Sequence, residues 1–212
     1  EHLPLDEQMG KQGIRQFELD MYFNKTGGYF EVYHIQGMDE ETHCETFTDC
    51  LDALRSWSDQ NPCHHPFVVL IQVNSFFNEE TAEGYLKTLD EELLSVWPEE
   101  RLITPALIRG ESATVRDALA EKGWPAINTV RGRGLFVLHA GGNYGSVYLG
   151  SDPTATDRPL FQDAYGDASL PYAAIHSLNN PIGDQEDIQA LVELGHMVRT
   201  RSDSDTEEAL AE

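Results

Sequence analysis

The run FVVLIQV, residues 67–73, restricts the fold more than any other stretch of the chain. It is nearly continuous in β-branched and aliphatic residues, and a strand of that composition is buried on both faces, as in a parallel sheet covered by helices. The surrounding sequence supplies such elements. Residues 13–23 (GIRQFELDMYF) alternate, with Ile14, Phe17, Leu19 and Met21 apolar and Glu18 and Asp20 on the other face. After Gly27 and Gly28, residues 29–34 (YFEVYH) read as a second strand, and residues 134–139, 172–175 and 196–201 as further ones. Thr46 and Asp49 have capping-box spacing at the start of a helix carrying Phe47, Cys50, Leu51 and Leu54, with Pro62 beyond its end. Asn78 caps a stripe of Ala82, Leu86, Leu89, Leu93 and Val96 that Pro98 stops. Helices are also expected over residues 112–122 and after Asp184, where Ile188, Leu191 and Val192 recur and Gly195 ends the pattern. Strands alternating with helices predict an α/β protein, either a β/α barrel or an open doubly wound sheet. Dinucleotide and P-loop fingerprints are absent, and GGNYG at residues 141–145 reads as a loop.

At 212 residues the chain suits one domain, 1–212. Its 14 basic and 37 acidic residues give a formal net charge of -23, spread along the whole length. Such a surface repels polyanions over distances of about 10 Å at 0.1 M salt, which argues against nucleic acid as a partner. No run approaches the roughly 20 apolar residues of a membrane helix, so no transmembrane segment is expected. The chain begins without Met or a signal peptide and reads as a processed form or an excerpt. Of three cysteines, Cys44 and Cys50 are close enough to bridge and Cys63 is left over, which leaves reduced thiols and one disulfide both open.

Glu18 and Asp20 project from one face near the C-terminal end of their strand, where β/α barrels assemble active sites. Two hard oxygen donors suit Ca²⁺, or Mg²⁺, better than a soft metal. An exposed strand face gives the same E-x-D spacing, so the pair is a candidate rather than a signature. His34 ends the next strand and, in a parallel barrel, would sit beside the carboxylates as a general acid or base. Arg199 and Arg201 share a face of the last strand and could clamp a phosphate, as could any surface pair. His64 and His65 are read as solvated in a Pro-flanked turn, and His2, His43, His176 and His196 have no assignable partner. Zinc spacing and a G-x-S-x-G nucleophile motif are both missing.

FELDMY, EVYH, CETFTDCLDALRSWSDQNPCHHPFVVLIQ, GWPAINTVRGRGLFVL and MVRTRSDSDT, in that order, resemble the calcium-dependent branch of the phosphatidylinositol-specific phospholipase C-like phosphodiesterases. The resemblance implies a distorted TIM-like barrel with Glu18 and Asp20 as calcium ligands. His34 would be the second of two catalytic histidines, protonating the leaving oxygen after the inositol 2-hydroxyl attacks phosphorus. Calcium would activate that hydroxyl and neutralise phosphoryl charge. Two departures stand out. The family's first-strand H-N motif does not occur, and Gln72 and Asn74 stand where a Glu and a Lys are common; Gln72 could still ligate through its carbonyl oxygen. Counted against the family, the chain supplies the second to seventh strands, so an incomplete barrel lacking its first and last strands, inactive by itself, is expected. The implied substrate is a phosphoinositide or a related glycerophosphodiester, with transient contact at a membrane surface and an extracellular or periplasmic location. A glycerophosphodiester phosphodiesterase using water, and a catalytically impaired barrel binding calcium or an inositol phosphate, remain alternatives.

Overall fold

The computed structural model of the protein describes residues 3–34, 37–38, 41–75, 79–140 and 144–201. The expected roles of Asn78 as a cap, of residues 141–143 in a loop and of residues 202–212 as a helix start lie outside the described residues, as does His2. Three central strands carry the fold: β1 (Gln16–Asn24), β3 (Phe67–Val73) and β5 (Gly134–His139). They are parallel and pair in the order β1-β3-β5, while β2 (Tyr29–Val32) lies outside β1. On the far side of β5, β4 (Leu102–Ile103) pairs with its start and β6 (Phe161–Gln162) with its end. A second sheet is formed by the parallel pair β7 (Ile175–Ser177) and β8 (Met197–Arg199). Among the described residues the strands make these two sheets and no closed barrel.

β2 corrects the expectation of a second parallel strand. It runs antiparallel to β1, with Met21 opposite Val32 and Asn24 opposite Tyr29. The connection of four residues between them explains this, because a parallel return needs a crossover of a dozen or more residues whereas a glycine turn closes a hairpin. Gly28 takes φ 76° in that turn, a conformation open to glycine. β2 also ends at Val32, short of His34.

Alternation along each strand separates two cores. Phe17, Leu19 and Met21 of β1, Val69 and Ile71 of β3, and Phe136 and Leu138 of β5 face one layer. There they meet Leu51 and Leu54 of α2 (Phe47–Gln60) and Leu86, Leu89 and Leu93 of α3 (Glu79–Val96). The short helix α1 (Leu5–Glu7) and the π-helical turn after it add Met9 to this layer. On the opposite face Leu70, Leu135 and Val137 pack with Ile103, Phe161 and Ile175. Val115 and Leu119, from the later helix α5 (Val115–Lys122), join them, following α4 (Pro105–Arg109). The capping box at Thr46 is present in both directions, the Asp49 amide donating to Oγ1 at 3.1 Å and the Thr46 amide to Asp49 Oδ2 at 3.2 Å. Thr114, rather than Ser112, caps α5. α6 (Tyr144–Leu149) and α7 (Gln185–Glu193) complete the helices, and Asp184 holds the N-cap position of α7 without a side-chain capping bond. The strand expected at residues 172–175 lies at Ile175–Ser177 instead.

Cys44 and Cys50 form a disulfide that ties the segment after the hairpin to the first turns of α2, and Cys63 is free and exposed. Cys50 is fully buried under β2, so the bridge anchors the segment leading away from His34. Closing so short a loop restricts the unfolded chain by about 2 kcal/mol. The Cys44→Ser/Cys50→Ser double variant is therefore expected to lose about that much stability in urea denaturation; an unchanged midpoint would show that the bridge contributes nothing.

Candidate active site

The ladder puts Asp20 opposite Gln72, and Gln72 opposite His139, so one residue from each central strand lies on a single row. All three are on the face that carries Leu70 and Val137; Gln72 and His139 lie at the C-terminal ends of β3 and β5, while Asp20 lies mid-way along the longer β1. Glu18 lies one step lower on the same face, level with Leu70. The floor of the site is thus apolar and its upper row polar.

An amide chain links two of the strands. Gln72 Nε2 donates to Asn74 Oδ1 at 3.0 Å, and Asn74 Nδ2 donates to Asp20 Oδ1 at 2.9 Å. Loss of hydration raises Asp20 above the ordinary carboxylate value, the Asn74 hydrogen bond opposes this, and Glu18 adds to the rise. His34 and His139 both pull it back down electrostatically. Glu18 pairs with the Arg199 guanidinium of β8, which also donates to Asn179. Arg199 therefore joins the small sheet to the large one across the site. Arg201 lies just past β8 and is half-buried.

His34 reaches the row by the hairpin. The Tyr33 amide donates to the Asp20 carbonyl at 3.2 Å, the Tyr22 hydroxyl donates to the His34 carbonyl at 3.2 Å, and the Tyr22 and Tyr33 rings stack at 4.2 Å. The antiparallel return thus brings His34 beside Asp20 as the parallel expectation had it, though by a different route.

Reasoning from sequence missed His139, Asn74 as a bridge, and Asp163. His139 Nδ1 is 2.7 Å from Asp163 Oδ2. Asp163 Oδ1 accepts from the amides of Tyr165 at 2.8 Å and Ser177 at 3.1 Å. Burial alone would raise Asp163, but hydrogen bonds from His139, Ser177 and the Tyr165 amide outweigh it and hold the carboxylate below its usual range. His139 was discoverable: it ends its strand in FVLH with the same placement that singled out His34. Asp163 gave no such signal, because the strand it follows has only two residues.

His64, His176 and His196 are structural. His64 is buried, not solvated: its Nε2 lies 2.7 Å from Ser58 Oγ and its Nδ1 2.6 Å from the His65 carbonyl, while His65 is exposed. His176 and His196, which had no assignable partner, are partners of each other at 2.9 Å. His176 Nδ1 accepts from the Gly166 amide at 3.1 Å, so its proton sits on Nε2 and is donated to His196 Nδ1.

Among the described residues no three His, Cys, Asp or Glu side chains converge as a ligand cluster. The oxygen donors near Asp20 are two carboxylates and the side-chain carbonyl of Gln72, since Asn74 turns its Nδ2 to Asp20 and its Oδ1 to Gln72. This set fits a hard divalent cation: all donors are oxygen, and Asp20 is a half-buried carboxylate beside a second carboxylate. Glu18 would have to exchange Arg199 for the ion.

A profile of the calcium-dependent phosphoinositide phospholipase C family matches residues 29–212. The chain belongs to that family. Similar folds are the calcium-dependent phosphoinositol-specific phospholipase C of a Gram-negative Pseudomonas species, in an apo crystal form and as a myoinositol complex. Each has a TM-score of 0.76 at 21% identity over 99% of this chain and 83% of that one. A calcium-dependent phosphatidylinositol-specific phospholipase C from Streptomyces antibioticus superposes with a TM-score of 0.72 at 18% identity, over 90% of this chain and 74% of its own. No curated protein sequence matches significantly. No helix among the described residues is long and apolar enough to cross a membrane.

Burial and the neighbouring His196 push His176 down from 6.5 to about 4. The unfolded chain then binds the extra proton first, so stability is full above about 6.5 and is lost as pH falls toward 4. Denaturation midpoints at pH 7, 5 and 4 should decline accordingly. His176→Gln, which cannot be protonated, should flatten that decline; an equally steep fall in the variant would place the acid sensitivity elsewhere.

Proposed function

We propose that the protein is a calcium-dependent phosphodiesterase that cleaves phosphatidylinositol or a soluble glycerophosphoinositol relative. Family membership supports the reaction class, and one observation carries the site: two carboxylates on one face of β1 lie beside the Gln72 and Asn74 amides, with a histidine close by. Glu18, Asp20 and Gln72 are the residues that would hold the ion, with Asn74 fixing Asp20 and Gln72 in place. Bound there, calcium would supply Lewis-acid stabilisation of charge on the phosphoryl oxygens. Octahedral Mg²⁺ demands stricter geometry than flexible amide and carboxylate donors readily give, so Ca²⁺ is the expected occupant.

His34 is the proton donor in this reading. It is exposed and close enough to act electrostatically on Asp20, and imidazole is a side chain that can donate a proton to a leaving oxygen. Arg199 and Arg201 are assigned to the phosphate. Once Glu18 turns to a cation, the Arg199 fork is released at the site with a charge suited to a phosphodiester oxygen. The whole chain acts as one domain and meets its lipid only transiently, since its net charge of -23 disfavours lasting adhesion to an anionic bilayer. The disulfide accords with an extracellular or periplasmic setting.

Calorimetry should show Ca²⁺ binding that Asp20→Asn weakens strongly, with Mg²⁺ binding less well; equal calcium affinity in the variant would remove Asp20 from the ligand set. Turnover should be measured on phosphatidylinositol, glycerophosphoinositol and glycerophosphocholine with and without chelator. A cyclic inositol phosphodiester product identifies internal attack. Cleavage of glycerophosphocholine to open products identifies a glycerophosphodiesterase, and calcium binding without turnover identifies a binding protein. His34→Ala should lower turnover on the lipid by about 10²- to 10⁴-fold and much less on an aryl phosphodiester, whose leaving oxygen needs no proton. Equal losses on both substrates would assign His34 to positioning or to the nucleophile.

A further inference from the structure

β2 is an outer strand of the large sheet, with β1 on one side of it only. In an antiparallel pair the backbone amides alternate between the partner strand and the opposite side, so those of Phe30 and Val32 share one direction. Both find acceptors beyond the sheet. The Val32 amide donates to the Glu45 carbonyl at 3.0 Å, a backbone acceptor of the kind that a neighbouring strand would offer. The Phe30 amide donates instead to a side chain, Glu92 Oε1 of α3, at 3.1 Å. A helix carboxyl thus closes a place on the sheet edge that no strand covers.

Glu92 is poorly placed to hold a charge. Its second oxygen, Oε2, is buried without a hydrogen-bond partner, and no cation among the described residues pairs with it. The titratable and charged groups of the elements packed around it are engaged elsewhere. On β2, Asn24 Nδ2 donates to Glu31 at 2.8 Å and to the Tyr29 hydroxyl at 3.4 Å. On α2, Asp49 belongs to the capping box, Asp52 is exposed, and Arg55 bonds Asp59 at 2.9 Å and the Val96 carbonyl at 3.0 Å. On α3 itself, Asp90 turns to Tyr148 of α6 and to Arg158, Lys87 pairs with Glu91 at 3.4 Å, and the Tyr85 ring packs on Phe23 at 4.0 Å. Burial therefore dominates and pushes Glu92 from 4.5 up to about 7, against the smaller opposing effect of the Phe30 amide.

We propose that Glu92 is a proton-controlled latch on the β1–β2 hairpin: with its carboxyl neutral it clamps the outer edge of β2, and on ionisation it leaves for water and frees that edge. The latch acts on the scaffold, whatever reaction the site performs. What it holds matters to the site, because β1 carries Glu18 and Asp20 and His34 lies two residues beyond the end of β2. The neutral carboxyl accepts from Phe30 through its carbonyl oxygen and brings no charge into the apolar layer. Once ionised, it keeps a buried oxygen with no donor, which hydration would stabilise. Open, the carboxyl titrates at the ordinary value of 4.5; closed, it titrates at about 7. The open state loses its proton first, so closure is fully favoured below 4.5, weakens as pH rises toward 7 and is weakest above it. The closed-to-open ratio should fall about tenfold between pH 6 and pH 8.

Hydrogen exchange on the full chain, with each rate divided by the intrinsic rate at that pH, tests the latch. Protection of the Phe30 amide should fall about tenfold from pH 6 to pH 8, the Val32 amide should follow, and both should stay below the Val69 amide of the central strand β3. Glu92→Gln, which keeps a carbonyl acceptor but cannot ionise, should abolish the fall, and Glu92→Ala should leave Phe30 weakly protected at both pH values. The unmodified chain decides the matter without any variant through the ¹³C resonance of the Glu92 carboxyl, whose titration midpoint should lie above about 6. A midpoint near 4.5, a change in Phe30 protection of less than about twofold, or a full decline persisting in Glu92→Gln overturns the proposal. So does protection at Phe30 equal to that at Val69, which would mean opening by global unfolding alone. Loss confined to Phe30 with Val32 unmoved overturns it as well, because Glu92 would then cap one amide and hold no hairpin.

Discussion

The hydrogen-bonded ladder from β1 through β3 to β5 positions everything else at the mouth. Because Asp20 pairs with Gln72 and Gln72 with His139, a slip of one residue in either pairing would break the row. Such a slip would also turn Leu19, Ile71 and Leu138 out of the helix-covered core and their polar neighbours into it, at a cost of several buried side chains. The apolar alternation that builds the core is therefore the same constraint that aligns the site.

Charge at the mouth is distributed unevenly in a chain of net -23. Glu18 has Arg199, and Asp163 has His139 and two backbone amides. Asp20 has an asparagine amide and two histidines at longer range, which do not offset its loss of hydration. Asp20 is not alone in this: burial raises Asp90 to about 6 despite its bonds to the Tyr148 hydroxyl at 2.7 Å and Arg158 at 3.1 Å, and Glu92 to about 7. What distinguishes Asp20 is the second carboxylate, Glu18, on the same face of β1, a pairing that a divalent cation would satisfy.

Much of the fold was legible because it rests on periodicity. The run 67–73 and the stripe from Ala82 to Val96 declared their elements through apolar spacing, and the box at Thr46 and Asp49 through its cap chemistry. The direction of β2 was legible too and was misread: a Gly-Gly turn specifies a hairpin whatever the fold at large prefers. The short strands β4 and β6 were not legible, since two residues carry no period and owe their pairing to the edge of β5. For the site, Glu18, Asp20 and His34 stood out by spacing along a strand. The partners of His139 depend on a register set by β5, more than 20 residues upstream of Asp163, which no local pattern encodes.

The histidines show how bonding, rather than residue type, sorts function. His64 has both nitrogens occupied, by Ser58 and by the His65 carbonyl. His176 likewise has Gly166 on one side and His196 on the other. A ring with both nitrogens engaged is a strut, because any change of protonation breaks a bond that the fold uses. His139 differs in having one nitrogen fixed by a buried carboxylate while the residue itself stands opposite Gln72 in the polar row. The two kinds are connected through the turn at Tyr165 and Gly166: the Tyr165 amide holds Asp163 on the inner side, and the Gly166 amide is held by His176 on the outer. The outer pair thereby fixes the geometry of the inner one, so disturbing the His176 to His196 bond should misplace Asp163 before it disturbs any of the central strands.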